Sequence, residues 1–307
     1  MKIVSLLPSA TEIVYALNLD DQLAAVTHEC DYPPEATEKP VITSSVLDHN
    51  HSSSLGIHKG ITGLVHKGRS IYHLNEELLA ELKPDLILTQ ELCEVCAVSY
   101  DIVEKAARIL KGEREIISLE PNSIWDILEN IRLVGQKTGR VREAEKLVEK
   151  YNGRIDSIVT ATAEIEKWPR VYCMEWIEPP FAAGHWISEM VAMAGGYEGL
   201  ALAGQPSAQI DWSDVLEFAP EIIILMPCGF GLTKTIEESN KLGTYPGWSD
   251  LPAVKQGQVF AVDGSSYFNR PGPRIVDGLE ILAQIIHPEL FAPTFHHRAY
   301  AQLTDLR

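Results

Sequence analysis

The sequence predicts an α/β protein of two lobes with mostly parallel sheets, joined by a single long helix. Three observations lead there. Short apolar runs alternate with longer stretches of helical period, the pattern of parallel βα units rather than of a β-sandwich. The segment Leu82-Lys83-Pro84-Asp85-Leu86-Ile87-Leu88 is echoed by Phe218-Ala219-Pro220-Glu221-Ile222-Ile223-Ile224. Each reads as a helix end, a proline stop, an acid and a buried strand, so the two halves share one plan. Between them, residues 138–167 are rich in Glu, Lys, Arg and Ala and poor in linker residues.

Taken in order, the expected strands are 3–7, 23–27, 85–89, 115–119, 170–173, 222–225 and 259–262. A helix follows the first, with Ser9 or Thr11 as its N-cap and Ile13, Val14 and Leu17 as its apolar stripe. Residues 48–69, with repeated Ser, His and Gly, read as an extended loop inside the first lobe. In 138–167 the residues Ala144, Leu147, Val148, Tyr151, Ile155 and Ile158 fall at helical spacing, with Gly153 the one weak point. A helix of this length spans roughly 40 Å at 1.5 Å per residue and acts as a strut. The expected organisation is a first lobe over 1–120, a helical connection over 121–168, a second lobe over 169–292 and a tail over 293–307.

Composition narrows the function. The 307 residues are 45% hydrophobic, enough for two cores, and the net charge of −17 disfavours the basic surface that nucleic acid binding needs. No apolar stretch approaches the roughly 20 residues that cross a bilayer, so no membrane insertion is expected. Met1-Lys2 lead directly into the first strand, leaving no room for a secretory signal. Five cysteines, an odd number with two spaced Cys93-x-x-Cys96, fit poorly with a disulfide-stapled scaffold. The expected location is therefore the cytoplasm, and the periplasm only if a leader has been removed.

Ligands of open α/β sheets collect beyond the carboxyl ends of the strands. Four of the five cysteines fall just past strand ends, and Cys93 and Cys228 stand at nearly equivalent places in the two repeats. If the lobes face each other, Cys30, Cys93, Cys96 and Cys228 with His28 and His185 line one cleft, and soft thiolates and imidazole suit zinc, an iron–sulfur cluster or a cobalt-centred ligand. The alternative is that these are buried structural residues, and Cys173, inside a strand, reads as core. Ser9 and Thr11 sit where a helix N-terminus also offers N–H groups to an anion. Trp176 and Trp186, near Pro179-Pro180-Phe181, suit stacking on a flat ligand or core packing equally. Arg270 and Arg274 flank a proline-rich turn and suit a carboxylate, amide or phosphate, or plain solvation. Glu189 lies four residues after His185, a weak signal for general-base chemistry. The sequence holds no Gly-x-Gly-x-x-Gly, P-loop, His-Glu-x-x-His or Gly-x-Ser-x-Gly.

These residues carry a family resemblance that runs nearly end to end. The chain resembles the periplasmic binding proteins for vitamin B12 and iron siderophores, whose class III fold has two Rossmann-like lobes joined by one long helix. The likeness rests on Ser5-Leu6-Leu7-Pro8-Ser9-Ala10-Thr11-Glu12, Cys30-Asp31-Tyr32-Pro33-Pro34, Leu82-Lys83-Pro84-Asp85-Leu86-Ile87, Pro179-Pro180-Phe181, Gly195-Gly196 and Arg270-Pro271-Gly272-Pro273-Arg274. Within the family it is most similar to a cobalamin-binding branch lacking a signal peptide, through residues 89–98 and Pro227-Cys228-Gly229-Phe230. The resemblance implies a ligand held between lobes that move little, and docking to an ABC importer permease through one glutamate per lobe. The matching places are Glu77 and Ser213, with Asp211 and Asp214 flanking the second, so only one acid is kept.

The expected function is binding, without catalysis, of a cobalamin-like corrinoid or another bulky metal-containing ligand. Its binding residues are Ser9, Tyr32, Trp176, His185, Trp186, Phe230, Tyr267, Arg270 and Arg274, with an axial nitrogen from His28 or His185 left open. The alternative is a cytoplasmic metalloenzyme that holds zinc or an iron–sulfur cluster on His28, Cys30, Cys93, Cys96 and Cys228, with Glu175 or Glu189 as base.

Overall fold

The computed structural model describes residues 1–46, 52–65, 72–90, 115–295 and 298–304. It divides into two compact units, one comprising Met1–Ser52, Gly56–Pro121 and Trp125–Val148, the other Ser53–Leu55, Asn122–Ile124 and Glu149–Arg307.

In the first stretch of chain β1 (Ile3–Ser5), α1 (Pro8–Ala16) and β2 (Leu23–Ala25) form a βαβ unit. There follow β3 (Thr43–Ser45), α2 (Ser54–Val65), β4 (Tyr72–Leu74), α3 (Glu76–Leu82), β5 (Leu86–Thr89), β6 (Glu115–Ser118), α4 (Ile124–Thr138) and α5 (Val141–Thr162). The sheet of this unit has the order β2-β1-β5-β6, every pairing parallel. Its central strands are apolar on both faces because both are covered: Ile3, Val4, Leu86, Ile87 and Leu88 are all buried. β3 and β4 pair antiparallel as a separate two-stranded sheet.

The second unit is built from β7 (Val171–Trp176), β8 (Phe181–Ala182), α6 (Ile187–Met193), β9 (Ala208–Gln209), α7 (Trp212–Phe218), β10 (Ile222–Leu225), α8 (Leu232–Ser239), α9 (Pro252–Lys255), β11 (Val259–Val262), α10 (Gly264–Tyr267), α11 (Ile275–Ile286) and β12 (Tyr300–Gln302). Its sheet order is β12-β11-β10-β7-β8-β9. The parallel centre of β7, β10 and β11 is flanked by antiparallel edges. The expected strands thus form, and the two mostly parallel sheets are those of the α/β fold read from the sequence. The short antiparallel edges carry too few residues to show a period of their own.

The internal repeat is a repeat of hydrogen bonds as well as of letters. Both α3 and α7 end on a left-handed residue, Lys83 at φ 50° and Ala219 at φ 48°. In one unit the carboxylate of Asp85 accepts the Lys2 amide at 2.7 Å, and Lys2 Nζ donates to the Leu82 carbonyl at 3.1 Å. In the other, Glu221 accepts the Arg170 amide at 3.1 Å, and Arg170 Nε donates to the Ala219 carbonyl at 3.0 Å. The acid after each proline therefore closes the open amino end of the neighbouring strand, and the base before that strand caps the helix.

Two local expectations are corrected. The helix after β1 begins at Pro8, with Leu7 as N-cap and no side-chain cap. Proline suits the first helical position because its missing N–H has no partner there anyway, and Ser9 and Thr11 fall inside the helix. The expected loop over 48–69 contains α2, where Ile57 is buried. Three glycines, Gly56, Gly60 and Gly63, diluted the helical signal of Leu55, Ile57 and Ile61. The strut is α5, 22 residues or about 33 Å long, continuous through Gly153. Arg154 anchors it to α11, with Nε donating to Glu280 at 2.7 Å and a terminal nitrogen to Asp277 at 2.5 Å.

Candidate functional site

At the carboxyl end of the first sheet a buried hydroxyl–thiol chain closes the turns. Ser5 donates to the Leu7 carbonyl at 2.9 Å, Thr11 donates to Ser5 at 2.8 Å, and Cys30 Sγ lies 3.1 Å from Thr11 and 3.2 Å from Thr27. Cys30 is 5% exposed, so its thiol serves the packing of the β1 and β2 turns. His28 points elsewhere: Nδ1 is 2.8 Å from Thr43 Oγ1, the ring lies 5.5 Å from that of Tyr72, and Nε2 is 3.9 Å from Glu29. Ser9 is buried in the first turn of α1, whereas Tyr32, ahead of a cis proline, is exposed. Cys93 and Cys96 lie outside the described residues.

The carboxyl end of the second sheet gathers more of the expected residues. Trp176 ends β7 and packs at 5.3 Å, tilted, against Phe230 from the turn after β10. Phe230 is fully buried, and Lys234 Nζ sits 4.3 Å from its ring centroid. Cys228, in the same turn, is half-buried, and its amide donates to the Glu175 carbonyl at 3.1 Å. Trp186 is buried, its indole N–H donating to the Phe268 carbonyl at 2.9 Å, and its ring stacks at 5.5 Å on that of His185. Tyr267 packs edge-on against Phe295 and carries Arg274 at 5.7 Å over its face, while Arg270 is half-buried beside them in the chain. Thus Trp176, His185 and Tyr267 are the partly open rings, and Phe230 and Trp186 stand behind them. Cys173 is buried inside β7, as read from the sequence, and burial pushes its thiol up.

His185 occupies the left-handed region at φ 53°, unusual for a residue with a Cβ. Among the described residues its Nδ1 is buried without a hydrogen-bond partner, as is the indole nitrogen of Trp176. Burial lowers the His185 pKa, which favours the neutral imidazole. Glu189 accepts the Ile124 amide at 3.0 Å, which makes it a helix-capping group rather than a base facing His185.

Sequence reading missed the loop that frames His185. The His185 amide donates to the Gln205 carbonyl at 2.6 Å, the Gly204 amide returns to the His185 carbonyl at 2.9 Å, and the Gly184 amide donates to Ser207 Oγ at 3.0 Å. Ser207 in turn donates to Glu175, whose carboxyl is raised by burial against the opposing effect of those hydrogen bonds. Glu198 accepts the amides of Leu200 at 3.0 Å and Ala201 at 2.8 Å and the hydroxyl of Ser188 at 3.3 Å, and burial pushes it up to about 7. Gly184, Gly199, Gly204 and Pro206 mark this loop in the sequence, and none of them names its partners.

A doubled βαβ plan, with aromatic and cationic side chains at the strand carboxyl ends, defines a two-unit α/β protein equipped for binding. The model of the periplasmic binding protein family matches residues 3–265, and the chain belongs to that family. It is 27% identical over 291 residues to the vitamin B12-binding protein of Vibrio cholerae, covering 91% of this chain and 86% of that one. It is 25% identical over 295 residues to an uncharacterized ABC transporter substrate-binding lipoprotein, YvrC, of Bacillus subtilis, covering 94% and 81%. Its fold matches the periplasmic heme-binding protein RhuT from Roseiflexus at a TM-score of 0.70 and 22% identity, covering 94% and 98%.

Membership of the periplasmic binding protein family and the similarity to a lipoprotein overturn the expected cytoplasmic location. Neither basis of that expectation bears on export. β1 is an interior strand whose place in the chain belongs to the domain's own topology. Cys30 and Cys173 are buried in the packing of the two units. The metalloenzyme alternative gains no support either: among the described residues no three His, Cys, Asp or Glu side chains gather in metal-binding range. No helix among them is long and apolar enough to cross a membrane.

Proposed function

We propose that this chain is a non-catalytic binding protein for a cobalamin-like corrinoid, delivering it to an ABC importer. The observation that carries the reading is the face at the carboxyl end of the second sheet. Trp176, backed by Phe230 and Lys234, offers an aromatic plane to a flat macrocycle. Tyr267, Arg270 and Arg274 border the same face and suit the amide and phosphate groups that fringe a corrinoid. Tyr32, exposed past the carboxyl end of the first sheet, is the binding residue of that unit, with Ser9 buried in the first turn of α1. The similarity to a vitamin B12-binding protein over nine-tenths of the chain supports the choice of ligand.

Of the two histidines considered for a metal-centred ligand, His185 is the better suited. His28 is engaged by Thr43 and Glu29, whereas the His185 ring, its pKa lowered by burial, lies half-buried beside the aromatic residues. The test is a titration of the full chain with cyanocobalamin and with haem, followed by tryptophan fluorescence, on the parent and Trp176→Ala. Cyanocobalamin is expected to saturate the parent and to bind Trp176→Ala about tenfold or more weakly. Saturation by haem with no response to cyanocobalamin overturns the corrinoid reading.

A further inference from the structure

Two acidic side chains hold opposite ends of one loop, whose Leu200 and Ala201 also pack against the core of the second unit. Glu175 takes Ser207, and Glu198 takes Leu200, Ala201 and, from α6, Ser188. Between these anchors the loop is zipped to the 184–188 segment by two backbone–backbone hydrogen bonds of His185 and by the Gly184 amide on Ser207 Oγ. The fit is backbone against backbone: a Cβ on Gly184 would lie 2.4 Å from both the Gln205 carbonyl and the Ser207 amide. The left-handed turn at His185, and the entry to α6 that orients Trp186, are thereby imposed from outside the segment.

We infer that Glu198 is a positioning residue for the ligand-facing segment, its carboxyl docking the 198–207 loop so that His185, backed by the buried Trp186, keeps the conformation in which it meets the ligand. The inference rests on the proposed binding role of that face. The groups around Glu198 are the Leu200 and Ala201 amides of its own loop, Ser188 of α6, and Tyr172 and Cys173 of β7, which both feel its charge, with Glu175 further along that strand. Among the described residues no cation pairs with it. A half-buried carboxylate held by dipoles alone keeps its proton up to about 7, against 4.5 when exposed. The docked loop therefore binds the proton more tightly than the released one. Docking is firmest below pH 4.5 and weakens as pH rises to about 7. The ligand-facing segment is thus set to loosen as pH rises from about 4.5 to about 7.

The experiment is hydrogen exchange on the full, ligand-free chain, reading peptides over 184–207 and corrected for intrinsic rates. It compares the parent, Glu198→Gln and Glu198→Ala, with cyanocobalamin affinity measured beside it. In the parent, opening of 184–207 is expected to rise about tenfold or more between about pH 5 and about pH 8. Glu198→Gln, which keeps the acceptor without the charge, is expected to lose that rise, and Glu198→Ala to open the segment at every pH. Cyanocobalamin affinity follows the same order. A parent without pH dependence, or a Glu198→Gln protein that keeps it, overturns the inference even if Glu198→Ala does not fold. Exchange is read without ligand, so a chain that fails to bind cyanocobalamin removes the corrinoid reading and leaves the docking role decided on its own.

Discussion

Gly184→Ala is the sharpest test of how the second unit is built. The added methyl carbon would meet the Gln205 carbonyl at 2.4 Å, the Ser207 amide at 2.4 Å and the Pro206 carbonyl carbon at 2.5 Å. Ordinary contact begins near 3.4 Å, so the two backbones must part by about 1 Å. No flexible side chain can absorb that shift. It stretches His185 N–Gln205 O from 2.6 Å, Gly204 N–His185 O from 2.9 Å and Gly184 N–Ser207 Oγ from 3.0 Å, each worth about 1 kcal/mol. Overpacking of this kind costs about 1–3 kcal/mol, and partial loss of the three bonds brings the total to about 2–5 kcal/mol. Urea unfolding reports the loss, and exchange over 184–207 reports its place. A variant within about 0.5 kcal/mol of the parent, with unchanged exchange there, would mean that the loop is not clamped to Gly184.

Three other substitutions probe the frame. Gly153 in α5 is exposed with nothing within 4 Å of a built Cβ, so Gly153→Ala should stabilise the protein by about 0.5–1 kcal/mol in urea, and destabilisation would contradict a continuous strut. Arg154→Met removes both charge-assisted bonds to α11 while keeping the stem, and should cost about 1–3 kcal/mol; an unchanged urea midpoint would show that the strut is held by apolar packing alone. For Glu221 the sign is that of an acid whose pKa is lowered, first by the Arg170 amide it accepts and then by the Arg170 and Lys167 charges. Its contribution is present above pH 4.5 and is lost as pH falls below it, so the stability gap between the parent and Glu221→Gln should narrow in acid; a gap that widens there would refute the assignment.

Much of the frame was legible because it is punctuated. Pro84 and Pro220 stop helices, Asp85 and Glu221 follow them, and buried strands begin at once, which made the doubled plan visible before the hydrogen bonds that enforce it. The strut was legible from Ala144 through Ile158 because a long amphipathic stripe repeats its own period. By contrast, α2 was hidden by its glycines, and the cap of α1 was misplaced because proline and serine both announce a helix start. At the candidate site, Trp176, Phe230 and Tyr267 could be found as aromatic residues past strand ends. The loop over 198–207 could not, since its role rests on contacts between Glu198 and Ser188 and between Ser207 and Glu175, pairs whose residue types have no pattern of their own. Cys30 drew attention for its chemistry, yet its neighbours are the hydroxyls of Thr11 and Thr27 and its burial is that of a core residue.

The most direct measurement is native mass spectrometry of the full chain equilibrated with equal amounts of cyanocobalamin and haem. A binding protein for a cobalamin-like corrinoid gives one corrinoid adduct per chain, which disappears under denaturing conditions and is diminished in Trp176→Ala. A chain that carries haem alone, or neither ligand, contradicts the assignment.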